Sequence, residues 1–329
     1  MIRQALNPTA RKRTVKHPSG TIMRFVPGTL RVGVTVLAIW LLFSLYKPSD
    51  VARLISNLGA SALLAAVVIY AACVHISAWK WGVLLELVPY RTRLRAVIAS
   101  CFYSILPSGQ LGGELSKVLI VKSRYPEIDN VLAGVVFDKL TGVIGLMLIG
   151  IASLLISDAY RAHWATALVV FAVLACGCVL FATQAIADMV GKIRFSNSLL
   201  RNLQLRIRGA LLSIGQFSRN RSILLRSVSL GILSQTTVIL VYLVIAHAIQ
   251  IDLYYSDMIS AIVLANLATL LPISIAGFGV REAGLTAILT TQHDIDGEKA
   301  LALSLTAMII FLLPAATGAV IETKKIIRR

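Results

Sequence analysis

The chain has 329 residues, 57% of them hydrophobic and 14% charged, with a mean hydropathy of +0.81. A soluble domain averages about 25% charged residues, so the composition excludes one and points to an all-α, polytopic integral membrane protein; the apolar runs are long and unbroken, unlike the alternating segments of a β-barrel. The formal net charge of +17 does not indicate nucleic acid, because the basic residues flank apolar runs and form no single patch with stacking aromatics.

Residues 1–29 form a basic arm, and residues 30–329 read as a single transmembrane domain. The first apolar run, LRVGVTVLAIWLLFSLY, ends at Lys47-Pro48 with no small-residue cleavage site and reads as a retained signal anchor. A span needs roughly 20 apolar residues. Six full spans are expected, at about 30–46, 62–84, 128–156, 163–183, 222–249 and 298–321. Trp79 and Trp81 bracket Lys80 at the end of the second span and read as an interfacial anchor. Residues 184–221 are a basic loop, and its LLRNLQLRIRGALLSIGQF stretch reads as a helix lying on the membrane surface.

Two regions interrupt this pattern. Each of 94–122 and 257–292 holds two short apolar stretches separated by a Pro/Gly break. About 14 helical residues cover only about 21 Å, against about 30 Å of hydrocarbon. Each region is therefore expected to be a re-entrant helical hairpin; two tilted spans per region are the alternative and leave the other segments unchanged. With both termini in the cytoplasm, 26 of the 32 Lys/Arg fall on cytoplasmic segments and four on outer loops, which also carry seven acids. That asymmetry supports a plasma (inner) membrane protein with both termini inside. It also makes the hairpins enter from opposite faces, as in inverted-repeat transporters.

The breaks echo one another, ILPSGQLGGELSK and LLPISIAGFGVREAG. Pro107 and Pro272 remove backbone donors and stop the first half-helix. Gly109, Gly112 and Gly113, and Gly277 and Gly279, allow the reversal. The second half-helices are expected to begin near Glu114 and Glu282, with their positive ends pointing into the protein as an anion site.

Buried charge clusters at the same depth. Asp138 and Lys139 lie in the third span, Arg281 and Glu282 at the second break, and Glu114 and Lys117 share a helix face at i, i+3. Charges in a membrane cost from about 2.5 kcal/mol upward and face a cavity or each other. Two readings stand: a polar pathway, or a structural network joining Asp138 to Arg281 and Glu282 to Lys139. Asn266 stands ready to bond freed backbone, and Gln235, Thr236 and Thr237 are candidates for the same cavity. His75 and His247 are lone mid-span histidines, read as packing. Cys73, Cys101, Cys176 and Cys178 lie in apolar segments with neither a disulfide framework nor zinc spacing, and no cofactor is expected.

These residues resemble the transmembrane domain of the lysylphosphatidylglycerol synthase/flippase-like family over nearly the whole chain after residue 30. The resemblance rests on Pro107, Gly113-Glu114, Asp138-Lys139, and Pro272, Gly277, Gly279 and Arg281-Glu282. The acidic-basic pair departs from the more usual Glu-Arg, and Lys lacks the bidentate fork of Arg. The resemblance implies lipid translocation between leaflets. Synthase members carry an aminoacyl-transferase domain after the membrane part, and none is expected in the sequence up to Arg329. It implies a partner among membrane lipids, an anionic phospholipid, a hopanoid or a polyprenyl-linked sugar, and it is compatible with a homo-oligomer. With no Walker motif, energy is expected from gradients or mass action. Two other readings remain: an intramembrane enzyme on lipid-linked substrates, with Glu114 and Asp138 as an acid/base pair, and a non-catalytic partner in an envelope complex.

Overall fold

The computed structural model describes residues 28–126, 128, 130–156, 177, 183–193, 198–270 and 274–327. The basic arm, nearly all of the expected span at 163–183, Cys176, Cys178 and Pro272 therefore lie outside the described residues. Among the described residues the chain is helical, without strands. In order, the helices are α1 (Gly28–Leu45), α2 (Pro48–Ser56), α3 (Ala60–Leu84), α4 (Tyr90–Ser104), α5 (Gly109–Lys122) and α6 (Val131–Ile156), followed by α7 (Ser198–Arg219), α8 (Arg221–Ala248), α9 (Tyr255–Ala268), α10 (Val280–His293) and α11 (Gly297–Ile327). A further helical stretch covers 183–192.

The helices α3, α6, α8 and α11 are long and apolar enough to cross a membrane. Helix α1 bends by 91° into α2, and the two together pass as one more span. Four of the six expected spans thus coincide with α3, α6, α8 and α11, while the first coincides with α1, which is long enough only together with α2, an element that the sequence pattern misses. Pro48 opens that short helix at a position where a missing N–H costs nothing. Its Val51 packs with Leu42, Leu301 and Ala302.

The hairpins are built as their lengths require. Helices α4 and α5 have 15 and 14 residues, and α9 and α10 have 14 each. At 1.5 Å per residue none exceeds about 23 Å. They enter the bundle from opposite ends. The start of α4 meets the end of α11 where Arg95 pairs with Glu322 at 3.2 Å. Near that end Val88, Tyr125, Ile128 and Ile223 share one apolar cluster. At the other end Met258 of α9 and Leu289 of α10 pack with Leu58, Ile249 and Ala300.

Close helix approach replaces a hydrophobic driving force, which is absent between apolar surfaces in lipid. A Cβ on Gly145 of α6 would lie 2.7 Å from the Gly231 carbonyl carbon, and one on Gly231 of α8 would lie 2.7 Å from the Thr141 carbonyl oxygen. The two backbones therefore touch at a Thr141/Gly145/Gly231 seam. Helix α7 does not merely lie at a surface: Phe217 packs edge-on to Phe137 of α6 at 5.6 Å, and Ser213 donates to Asn130 Oδ1 at 2.9 Å.

Candidate functional site

At the first break, α4 stops at Ser104 and the chain turns through Pro107 into Gly109, whose φ is +62°. That left-handed conformation is open to glycine at little cost. A Cβ on Gly113 would fall 2.6 Å from the Ser100 carbonyl oxygen, so α5 folds back directly on α4. Gly112 is crowded in the same way against the Ser108 side chain. Helix α5 begins at Gly109, five residues before Glu114, so Glu114 sits in its second turn and not at its N-terminus. Its first turn carries no acidic residue.

At the second break, Gly277 and Gly279 have φ of +82° and +80°. A Cβ on Gly279 would meet Ala38 of α1 at 2.8 Å, and the Ile275 N–H donates to Thr35 Oγ1 at 3.0 Å. Helix α1 therefore clamps this break. Here the sequence reading of the helix start holds. Glu282 lies at N3 of α10, and its Oε2 accepts from the Gly279 N–H at 2.7 Å. Its Oε1 accepts from Arg281 Nε at 3.0 Å and Nη2 at 2.7 Å. Glu282 is only 1% exposed, so this carboxylate both caps the helix and holds the guanidinium. An arginine has five N–H donors; Glu282 takes two, and among the described residues the Arg281 Nη1 group has no hydrogen-bond partner. The guanidinium rests over the Phe311 ring at 4.9 Å.

The two breaks share a cavity of about 260 Å³. Ser104, Ile105 and Gln110 line it from the first break, and Asn266, Ala276, Phe278 and Arg281 from the second. Tyr70, Cys101, Gln235, Val238, Phe311 and Ala315 complete the wall. The first turns of α5 and α10 both reach it, through Gln110 and Arg281, which brings two positive helix ends to one space. Asn266 donates to the Ile262 carbonyl of its own helix at 2.9 Å, and among the described residues it makes no bond to the backbone of the break. Gln235 lines the cavity as expected, whereas Thr236 and Thr237 bond back to the Ile232 and Ser234 carbonyls.

The remaining charges form a separate cluster. Asp138 Oδ1 lies 3.2 Å from Lys80 Nζ, and its Oδ2 3.9 Å from Lys117 Nζ. Lys117 Nζ in turn pairs with Glu114 Oε2 at 2.9 Å and stands over the Trp81 ring at 6.0 Å. Two lysines and two carboxylates thus close a formally neutral quartet. The network expected from sequence, Asp138 to Arg281 and Glu282 to Lys139, does not form. Adjacent residues on a helix face different ways: Asp138 turns into the quartet, while Lys139 is exposed and donates to Gln110 Oε1 at 3.2 Å. Among the described residues Lys139 has no carboxylate at ion-pair distance, and through Gln110 it reaches the cavity rim.

Lys80 is the residue that the sequence reading misplaced. It is 4% exposed and Trp81 1%, while Trp79 is 58% exposed. Only Trp79 fits an interfacial anchor. The signal was the spacing: Lys80 stands three and seven residues after Ser77 and Cys73, on the small-residue face that packs inward. Tyr70 and Phe311 carried no such mark, being two aromatics among many in apolar runs.

No curated protein matches the chain. Residues 28–318 match the family described as the lysylphosphatidylglycerol synthase TM region. The match takes in both breaks, the quartet and the cavity between them. The chain belongs to the lysylphosphatidylglycerol synthase transmembrane-region family.

Proposed function

We propose that this protein translocates a lipid or lipid-linked glycan across the plasma membrane, with both termini cytoplasmic. The observation that carries this reading is the single cavity lined jointly by two breaks that enter from opposite ends, with buried Arg281 in its wall. Irregular backbone at membrane depth is stable only against protein or a wet cavity. The free N–H groups of Arg281, the Lys139 ammonium beyond Gln110 and the two helix N-termini favour an anionic head group, above all a phosphate. The volume admits several waters or one such head group, so the hydrocarbon chains stay outside it. An anionic phospholipid, a hopanoid with a polar head and a polyprenyl-linked sugar share this amphipathic chemistry. Glu114 and Asp138 serve the quartet, as ion-pair partners and not as an acid/base pair; the protein acts as a transporter and not an enzyme, without a bound cofactor.

The test uses purified protein in liposomes containing head-group-labelled phosphatidylglycerol, with quenching by a membrane-impermeant reductant. The expected result is protein-dependent head-group movement with the lipid recovered unchanged. A new lipid product without movement would establish the enzyme reading. Neither movement nor product would leave the structural-partner reading in its place.

A further inference from the structure

A second hollow of about 190 Å³ lies between α3, α4 and α11. It shares one wall residue, Tyr70, with the cavity between the breaks. The two spaces use alternate positions of the same helices: Ile310 and Pro314 of α11 face the groove, Phe311 and Ala315 the cavity. The partition is aromatic. The Tyr70 and Phe311 rings lie 4.6 Å apart, and the Arg281 guanidinium of the cavity wall stands 4.9 Å from the Phe311 centroid. Two polar side chains that line the groove are engaged within the protein. Thr317 donates to the Leu313 carbonyl at 3.0 Å, and His75 Nδ1 bonds the Tyr90 hydroxyl. Much of the remaining lining is aliphatic, including Val67, Ala71, Leu94, Ile98 and Leu313.

Helix α11 holds this seam apart at one level and closes it at another. Pro314 lies inside the helix and removes the bond to the Ile310 carbonyl. One turn on, a Cβ on Gly318 would stand 2.6 Å from the Ile98 carbonyl oxygen, so α4 and α11 are in backbone contact there. The hollow thus lies beside a helix position that lacks one ladder bond and next to a fixed backbone contact between α4 and α11.

We infer that this groove holds the hydrocarbon chain of the lipid whose head group occupies the Arg281 cavity, with Tyr70 and Phe311 as the partition between chain and head. The inference rests on the translocase reading and names its substrate as a lipid bound laterally from the bilayer. Bilayer hydrocarbon is as apolar as the groove, so seating a chain there adds little affinity. Binding comes from the head group, and specific occupancy of the groove must therefore follow Arg281.

The experiment uses full-length protein in phosphatidylcholine liposomes with a trace of phosphatidylglycerol that carries a photoreactive diazirine in one acyl chain. Cross-links are quantified on the α3 and α11 segments that line the groove, and on exposed α1 positions Trp40 and Leu45 as a bulk-lipid reference. Groove labelling is expected to fall at least fivefold in Arg281→Gln, and also in Ala71→Trp, which fills the groove without touching the cavity. Labelling of α1 is expected to stay constant. Groove labelling that is equal in wild type and both variants would mean bulk lipid only; with head-group movement intact in wild type, that outcome overturns the groove and leaves the translocase reading standing. Absence of head-group movement by wild type in the same vesicles overturns the translocase reading, and the groove assignment with it.

Discussion

Arg281→Gln is expected to lower protein-dependent head-group movement by roughly tenfold or more. The charged hydrogen bonds that its free N–H groups offer a phosphate are worth about 1.5–3 kcal/mol, and about 1.4 kcal/mol is a factor of ten. The substitution is chosen to spare the fold. Glu282 Oε2 still caps α10 through the Gly279 N–H, and a glutamine amide still donates to Glu282 Oε1. Arg281→Lys keeps the charge but loses the planar fork, and intermediate movement is expected. If Arg281→Gln instead lowers only the amount of folded protein, and the protein that remains moves lipid at the wild-type rate, the arginine belongs to the scaffold and not to the route.

Asp138→Asn is expected to act on stability. It removes the carboxylate charge that lies 3.2 Å from Lys80 and leaves that buried ammonium with neutral acceptors alone, the amide oxygen and the backbone carbonyl of residue 138. Removing one partner of a buried pair costs about 3–5 kcal/mol, whereas replacing both by apolar residues is often neutral. The double variant Lys80→Met/Asp138→Leu is therefore expected to unfold nearer to wild type than Asp138→Asn does. Thermal unfolding in detergent measures both. An Asp138→Asn protein as stable as wild type would show that the quartet does not hold α3, α5 and α6 together.

These two predictions separate roles that the sequence had joined. Intramembrane charge and helix breaks were both legible, because hydropathy and Pro/Gly chemistry are local. The start of α10 was legible for the same reason, since Glu282 follows Gly279 at capping distance. The start of α5 was not. Nothing in GQLGGELSK tells the chain to begin its helix at Gly109 and not at Glu114, and the decision comes from α5 packing on Ser100 of α4. Pairing was the least legible property. Asp138 and Lys139 are neighbours in sequence but point to different partners, and Lys80 reaches Asp138 across 58 residues. Such choices depend on which helix faces meet, and in lipid those are set by small residues such as Gly145 and Gly231, whose contacts have no periodic signature. The cavity itself was foreseeable only as a place between two breaks; Tyr70, Phe311 and Val238 join it through tertiary packing alone.

On the proposed function the head group passes through the space between the breaks. The most direct test of that route compares labelled-phosphatidylglycerol movement by wild type and by Val238→Trp, which puts an indole into the cavity wall from α8 and leaves every charge in place. Movement is expected above the protein-free rate for wild type and at the protein-free rate for a folded Val238→Trp protein. Equal movement by the two proteins would contradict the route.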